Sequence, residues 1–133
     1  TTLFRSRTGF VFLDCKLVAD STVTKLFLGR PWRAFSRTVF IRCELPAQIA
    51  PAGWNNWGNP ENEKTVYYAE YKNAGAGSDS KQRVSWSKQL TDKEAKEYTV
   101  ENIFSDCNAV SLKESNWFKQ IRTKPFEWPA DKK

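Results

Sequence analysis

The sequence has no histidine and no methionine and only three cysteines, Cys15, Cys43 and Cys107. No apolar run approaches the roughly 18–20 residues that a membrane-spanning helix needs. Each shortage removes a class of chemistry. Without imidazole no His-based triad exists, and three cysteines with no histidine do not make the usual zinc spacings. Acid–base work near neutral pH would fall to carboxylates, Lys, Tyr or Cys. No metal and no cofactor is predicted, and no membrane partner. The chain opens on Thr1-Thr2-Leu3-Phe4 with neither a Met nor a charged-then-apolar leader, so it is expected to continue a longer polypeptide.

What is present is a basic, aromatic-rich chain of 133 residues, one domain's worth at most. Lys and Arg outnumber Asp and Glu by 21 to 15. That balance favours polyanionic partners, although the charge is dispersed and equally fits a solvated basic surface. No recognition helix, zinc finger or aromatic ribonucleoprotein motif accompanies it, so no nucleic-acid partner is predicted.

A repeat organises the first half. Residues 9–19 (GFVFLDCKLVA) lie over residues 37–47 (RTVFIRCELPA) with Val, Phe, Cys, Leu and Ala recurring at an offset of 28. A fainter third copy, Thr65-Val66-Tyr67-Tyr68-Ala69-Glu70-Tyr71, follows at an offset of 27. Fixed offsets of this size mark architectures in which each unit stacks on the next. Each copy is rich in β-branched and aromatic residues between Gly, Pro, Asn or Asp, and so reads as a strand.

No helix-length segment separates the copies, which predicts an all-β fold, a right-handed parallel β-helix, with an antiparallel sandwich as the rival. The predicted interior ladders are Val11/Val39/Val66 and Phe12/Phe40/Tyr67. Cys15 and Cys43 fall one coil apart, either bonded or packed as small apolar groups. Asp14 and Arg42 occupy equivalent positions, predicting a ladder salt bridge rather than catalysis. Asp20, Asp79, Asp92 and Asp106 read as caps and turn acids.

Beyond the repeat, Thr91-Asp92-Lys93-Glu94 has capping-box spacing and predicts a short helix starting at Thr91, with a second start at Thr99. These short helices are expected to cover the open end of the solenoid, and an aromatic tail (Trp117, Phe118, Phe126, Trp128, Pro129) to pack along its outside.

Two stretches carry candidate binding chemistry. Leu28-Gly29-Arg30-Pro31-Trp32 pairs a permanently charged fork with a flat aromatic on a constrained turn, a pairing suited to an acidic sugar. Gly53-Trp54-Asn55-Asn56-Trp57-Gly58 sets two indoles among amides, suited either to stacking on sugar faces or to plugging gaps against the solenoid.

The order of these motifs closely resembles the C-terminal part of the pectin methylesterases. The features are Gly9-Phe10-Val11-Phe12-Leu13-Asp14-Cys15, Leu28-Gly29-Arg30-Pro31-Trp32 with Ser36-Arg37-Thr38-Val39, Gly53-Trp54, Tyr67-Tyr68-Ala69-Glu70-Tyr71 and Arg83-Val84-Ser85-Trp86. The resemblance implies hydrolysis of methyl esters on pectin, giving pectate and methanol. It implies that Arg30 is the catalytic arginine that holds a nucleophilic Asp, and that Trp32 and Trp54 contact substrate.

The family's Gln-Asp and Gly-x-Val-Asp-Phe segments are not found in the chain. Residues 1–133 are therefore expected to be the C-terminal portion of one β-helix domain with its upstream coils missing, inactive in isolation. The alternative is a non-catalytic carbohydrate-binding or structural β-helix module. Pectin as substrate implies a secreted or periplasmic protein, and the full-length form is expected to be a monomer.

Overall fold

The computed structural model describes residues 9–105. Four strands form a single parallel sheet in chain order: β1 (Phe10–Leu13), β2 (Arg37–Ile41), β3 (Tyr67–Tyr71) and β4 (Ser87–Gln89). Consecutive parallel strands demand long return connections, usually helical. Here the returns themselves pair. Lys16 bridges Glu44 and Glu44 bridges Ala74, while Leu26 bridges Ile49 and Gly29 bridges Trp54, all parallel. Every turn of the chain thus lies on the next one along several faces, which is the parallel β-helix that the repeat predicts.

The first two copies pair as expected, Val11 with Val39 and Phe12 with Phe40. Phe12 and Phe40 stack with ring centroids 4.4 Å apart and planes 7° from parallel. The third copy does not hold its expected register. Val39 pairs with Ala69 and Phe40 with Glu70, so the ladders run Val11/Val39/Ala69 and Phe12/Phe40/Glu70, with Val66 preceding the strand. The discrepancy is three residues, an odd number, which exchanges the two faces of the strand.

The second return carries additional chain, including a 3-10 helix over Pro60–Lys64 capped by Asn59. Local likeness of Thr-Val-aromatic cannot register that insertion.

Each of the first three strands is followed by a residue in the left-handed region: Asp14, Arg42 and Lys72 have φ of 53°, 52° and 45°. The repeated corner brings Asp14 against Arg42 in a two-pronged pair, both N–O distances 2.6 Å. Hydrogen bonding to Arg42 holds the Asp14 carboxyl below its ordinary range. The pair is more than half exposed, so it is worth no more than about 1 kcal/mol. Beyond the corner, Lys16 pairs with Glu44 at 3.0 Å. Cys15 and Cys43 are unbonded. Both belong to the interior, where burial pushes the Cys43 thiol up.

The sheet has apolar residues on both faces. Inside the solenoid lie Leu28, Phe40, Cys43, Leu45, Ile49, Trp54 and Tyr68. On the opposite face Val39, Ile41, Ala69 and Leu90 pack with Tyr67, Tyr71 and Tyr98. The segment after β4 covers this second face. Its helix α1 (Asp92–Ala95) starts with the expected capping box at Thr91. Helix α2 (Val100–Ser105) follows Thr99, whose hydroxyl accepts from the Asn102 N–H at 3.1 Å. Tyr71 and Lys72 both reach Asp92, tying α1 to the end of β3. Asp106, Cys107 and the aromatic tail lie outside the described residues.

Burial, reinforced by Tyr67, pushes the Tyr98 phenol up to about 12 from an ordinary value of about 10. The fold therefore favours the neutral phenol, a stabilisation complete below about pH 10 and lost as pH rises from there toward about 12. Urea midpoints are expected to fall between about pH 10 and about pH 12, and Tyr98→Phe to flatten that fall. An equally steep loss in the variant would contradict this assignment.

Candidate functional site

The candidate site grows from the strand-like run that ends at Arg30. Leu26 and Leu28 face the interior, and backbone bonds Leu26 N–H to Gln48 O and Leu28 N–H to Gly53 O, both 2.7 Å, align this run with the next coil. Gly29 lies against the ring of Trp54, and a Cβ there would stand 3.1 Å from it. Close approach is what requires glycine at this position. Pro31 is fully buried, and its carbonyl accepts from the Asn62 amide at 3.3 Å, so the inserted 3-10 helix pins the turn. A proline held on both sides gives the residues around it a defined direction.

Arg30 leaves this turn into solvent. Its guanidinium stands 5.3 Å from the Phe27 ring centroid and 5.5 Å from that of Trp57. Its aromatic partners are thus Phe27 and Trp57 rather than Trp32 or Trp54, and among the described residues no carboxylate forms an ion pair with it. Trp32 is 86% exposed, an indole presented to solvent as the sequence predicts.

Trp57 is also open, at 62%, and sits at φ 60°. A bulky side chain in that region costs on the order of 1–3 kcal/mol. Two amides hold it there. Asn55 Oδ1 accepts from the Trp57 N–H at 2.9 Å, and Asn56 Oδ1 accepts from Gly58 at 2.8 Å. Asn56 is itself fixed by donating to Glu63 at 2.7 Å.

Trp54 departs from its expected place. The sequence sets it in a loop, either stacking on a sugar face or plugging a gap against the solenoid, and the family resemblance implies substrate contact. Its parallel bridge to Gly29 makes it an inward-facing position, 1% exposed, which is the gap-filling alternative. An indole so buried has no free face for a sugar ring. Its ring lies 4.4 Å from that of Tyr68, tilted by 33°, and forms the floor of a cleft of about 370 Å³ lined also by Lys25, Phe27, Asn55, Asn56, Glu63 and Trp86.

Beneath that floor is a feature that sequence reasoning missed. Arg83 and Glu70 form a two-pronged pair, Nε to Oε1 at 2.8 Å and Nη2 to Oε2 at 3.1 Å, with side chains 4% and 3% exposed. The remaining Arg83 donors reach the carbonyls of Pro51 at 3.1 Å and Gly77 at 2.7 Å. Glu70 Oε1 also accepts from the Trp54 indole N–H at 3.2 Å. Gly53 leaves room for the guanidinium, since a Cβ there would lie 2.4 Å from Arg83 Cδ.

The network joins two successive turns of the chain under the candidate site. Its one sequence signal is parity, for Glu70 shares the interior face with Tyr68 inside an otherwise apolar strand. No cluster of three metal-ligating side chains occurs among the described residues.

The fold and site together define a parallel β-helix bearing an arginine near two aromatic rings beside a cleft. A family model described as Pectinesterase matches residues 3–107, and the chain belongs to that family. It is 53% identical over 89 residues to the Arabidopsis thaliana relative designated pectinesterase 11, covering 67% of this chain. A pectin methylesterase from carrot superposes with a TM-score of 0.69 at 31% identity, covering 90% of this chain. A pectin methylesterase in complex with a hexasaccharide matches at 28% identity and a TM-score of 0.55, covering 73% of this chain and 34% of that one. The chain spans 24% of the Arabidopsis relative and 38% of the carrot enzyme.

Proposed function

We propose that these residues form part of a carboxylic ester hydrolase that removes methyl groups from pectin, releasing methanol and leaving free galacturonate carboxylates. The observation that carries this reading is Arg30. It sits in the family's Arg-Pro-Trp turn, its guanidinium within cation–π reach of Phe27 and Trp57. Ring contacts of this kind use up no hydrogen-bond donor, so the N–H groups stay available to a carboxylate.

In this reading Arg30 keeps a nucleophilic aspartate ionised and aimed, and that aspartate attacks the ester carbonyl to form an acyl-enzyme. A second aspartate protonates the departing methanol and then takes a proton from the water that hydrolyses the acyl-enzyme, freeing the carboxylate and the first aspartate. Trp32 supplies the exposed surface on which a sugar ring stacks. Trp54 acts from below, as the floor that sets the depth of the cleft. The ligand would be methyl-esterified polygalacturonate, met by a secreted or periplasmic protein whose full-length form is a monomer. Binding of a hexasaccharide by a related pectin methylesterase supports an oligosaccharide-sized ligand.

Neither aspartate-bearing motif occurs among the 133 residues. Methyl-esterified pectin is therefore expected to yield no methanol with this chain alone. Methanol should appear when the chain is joined to coils carrying both motifs, and Arg30→Ala should remove it. Release from the isolated chain that persisted in Arg30→Ala would overturn the proposal.

A further inference from the structure

We propose that Trp57 is a positioning residue for Arg30: its indole and the Phe27 ring together form an aromatic clip that restricts the guanidinium to one orientation. The proposal rests on the reading of Arg30 as the residue that grips an aspartate. An arginine on an exposed turn has many rotamers, and a two-pronged grip on a carboxylate needs one of them. Two rings within cation–π reach restrict the guanidinium without consuming its N–H donors.

Gap-filling does not account for Trp57. It remains 62% exposed, so little packing offsets its left-handed backbone at φ 60°. That conformation is held by side chains with no evident task except aiming the indole: Asn55 to the Trp57 N–H, Asn56 to the next N–H, and Glu63 anchoring Asn56. What the arrangement achieves is contact with the guanidinium at 5.5 Å. Phe27 is shared, since Lys25 Nζ also stands over its ring at 5.4 Å. Trp57 is the wall whose geometry is built around Arg30.

The test uses the full 133-residue chain labelled with ¹⁵N, reading the heteronuclear NOE at Arg30 Nε. The wild-type value should approach that of ordered backbone amides. In Trp57→Ala it should drop at least twofold, toward that of an unrestrained arginine, while Trp57→Phe restores most of it. Far-UV circular dichroism should be unchanged in both variants, because the replaced ring lies outside the core. An Arg30 signal equally rigid in Trp57→Ala and wild type would overturn the clip. A clip that behaves as expected, in a protein whose longer form still releases methanol as Arg30→Ala, would uphold the positioning role and sink the catalytic reading instead.

Discussion

Arg83→Ala is expected to lower the unfolding free energy by roughly 3–5 kcal/mol, the range for removing one partner of a buried ion pair. The loss comes less from the broken attraction than from what stays behind. Glu70 would remain 3% exposed, keeping only the Trp54 indole and the Asn73 amide at 3.4 Å as donors. The carbonyls of Pro51 and Gly77 would lose their donor as well.

Against a total of about 5–15 kcal/mol typical of single domains, that loss decides whether the chain folds. The double variant Glu70→Leu/Arg83→Met should recover part of it, because a buried pair replaced by apolar groups of similar size is often near neutral. Urea unfolding of the three variants measures this. A loss below about 1 kcal/mol in Arg83→Ala would mean that the network is not what joins the coils.

Trp54→Ala should cost a comparable amount, about 3–5 kcal/mol, as expected for truncating a buried Trp. The ring contacts Tyr68 and Phe40 and lies beneath Gly29, so its removal empties space shared by two coils. Trp54→Phe should cost less, by retaining ring volume while giving up the bond to Glu70. Trp32→Ala provides the contrast: an indole 86% exposed should change stability by less than about 0.5 kcal/mol. Thermal or urea unfolding of the set distinguishes the floor of the cleft from its exposed surface. Equal effects at positions 32 and 54 would contradict the burial described here.

These two sites show where sequence reasoning stops. The pairing of Val11 with Val39 and the salt bridge between Asp14 and Arg42 are legible because a repeat of constant length places like residues on adjacent coils, and chemistry then follows from position. The capping box at Thr91 is legible because all its atoms lie within one turn of chain. Trp54 reads from sequence as a loop residue, either exposed or gap-filling, because its depth depends on pairing with Gly29, 25 positions earlier. A sequence window holds no record of that bridge. Glu70 and Arg83 meet although 13 positions apart, for the same reason.

The third register differs by three residues from the one that hydrophobic likeness predicts, because the connection before β3 is longer and local likeness carries no record of its length. In the pairing adopted, Glu70 reaches the interior where Arg83 waits, and small Ala69 fits the crowded second face beside Val39 and Ile41.

The Arg30-Pro31-Trp32 turn divides in the same way. Its residue types, its stiffness and its family resemblance are local properties, set by a proline and its neighbours, and they are readable without coordinates. The orientation of Arg30 is not local. Its guanidinium lies against Phe27 and Trp57, three and 27 residues away, and Trp57 is aimed by amides that belong to the next coil. By itself the sequence determined the coil repeat, the helix caps and the chemical character of the candidate site. Which indole faces solvent, which is buried, and what holds the arginine were decided only when the coils stacked, because burial and ring contact are properties of neighbours brought together by the fold.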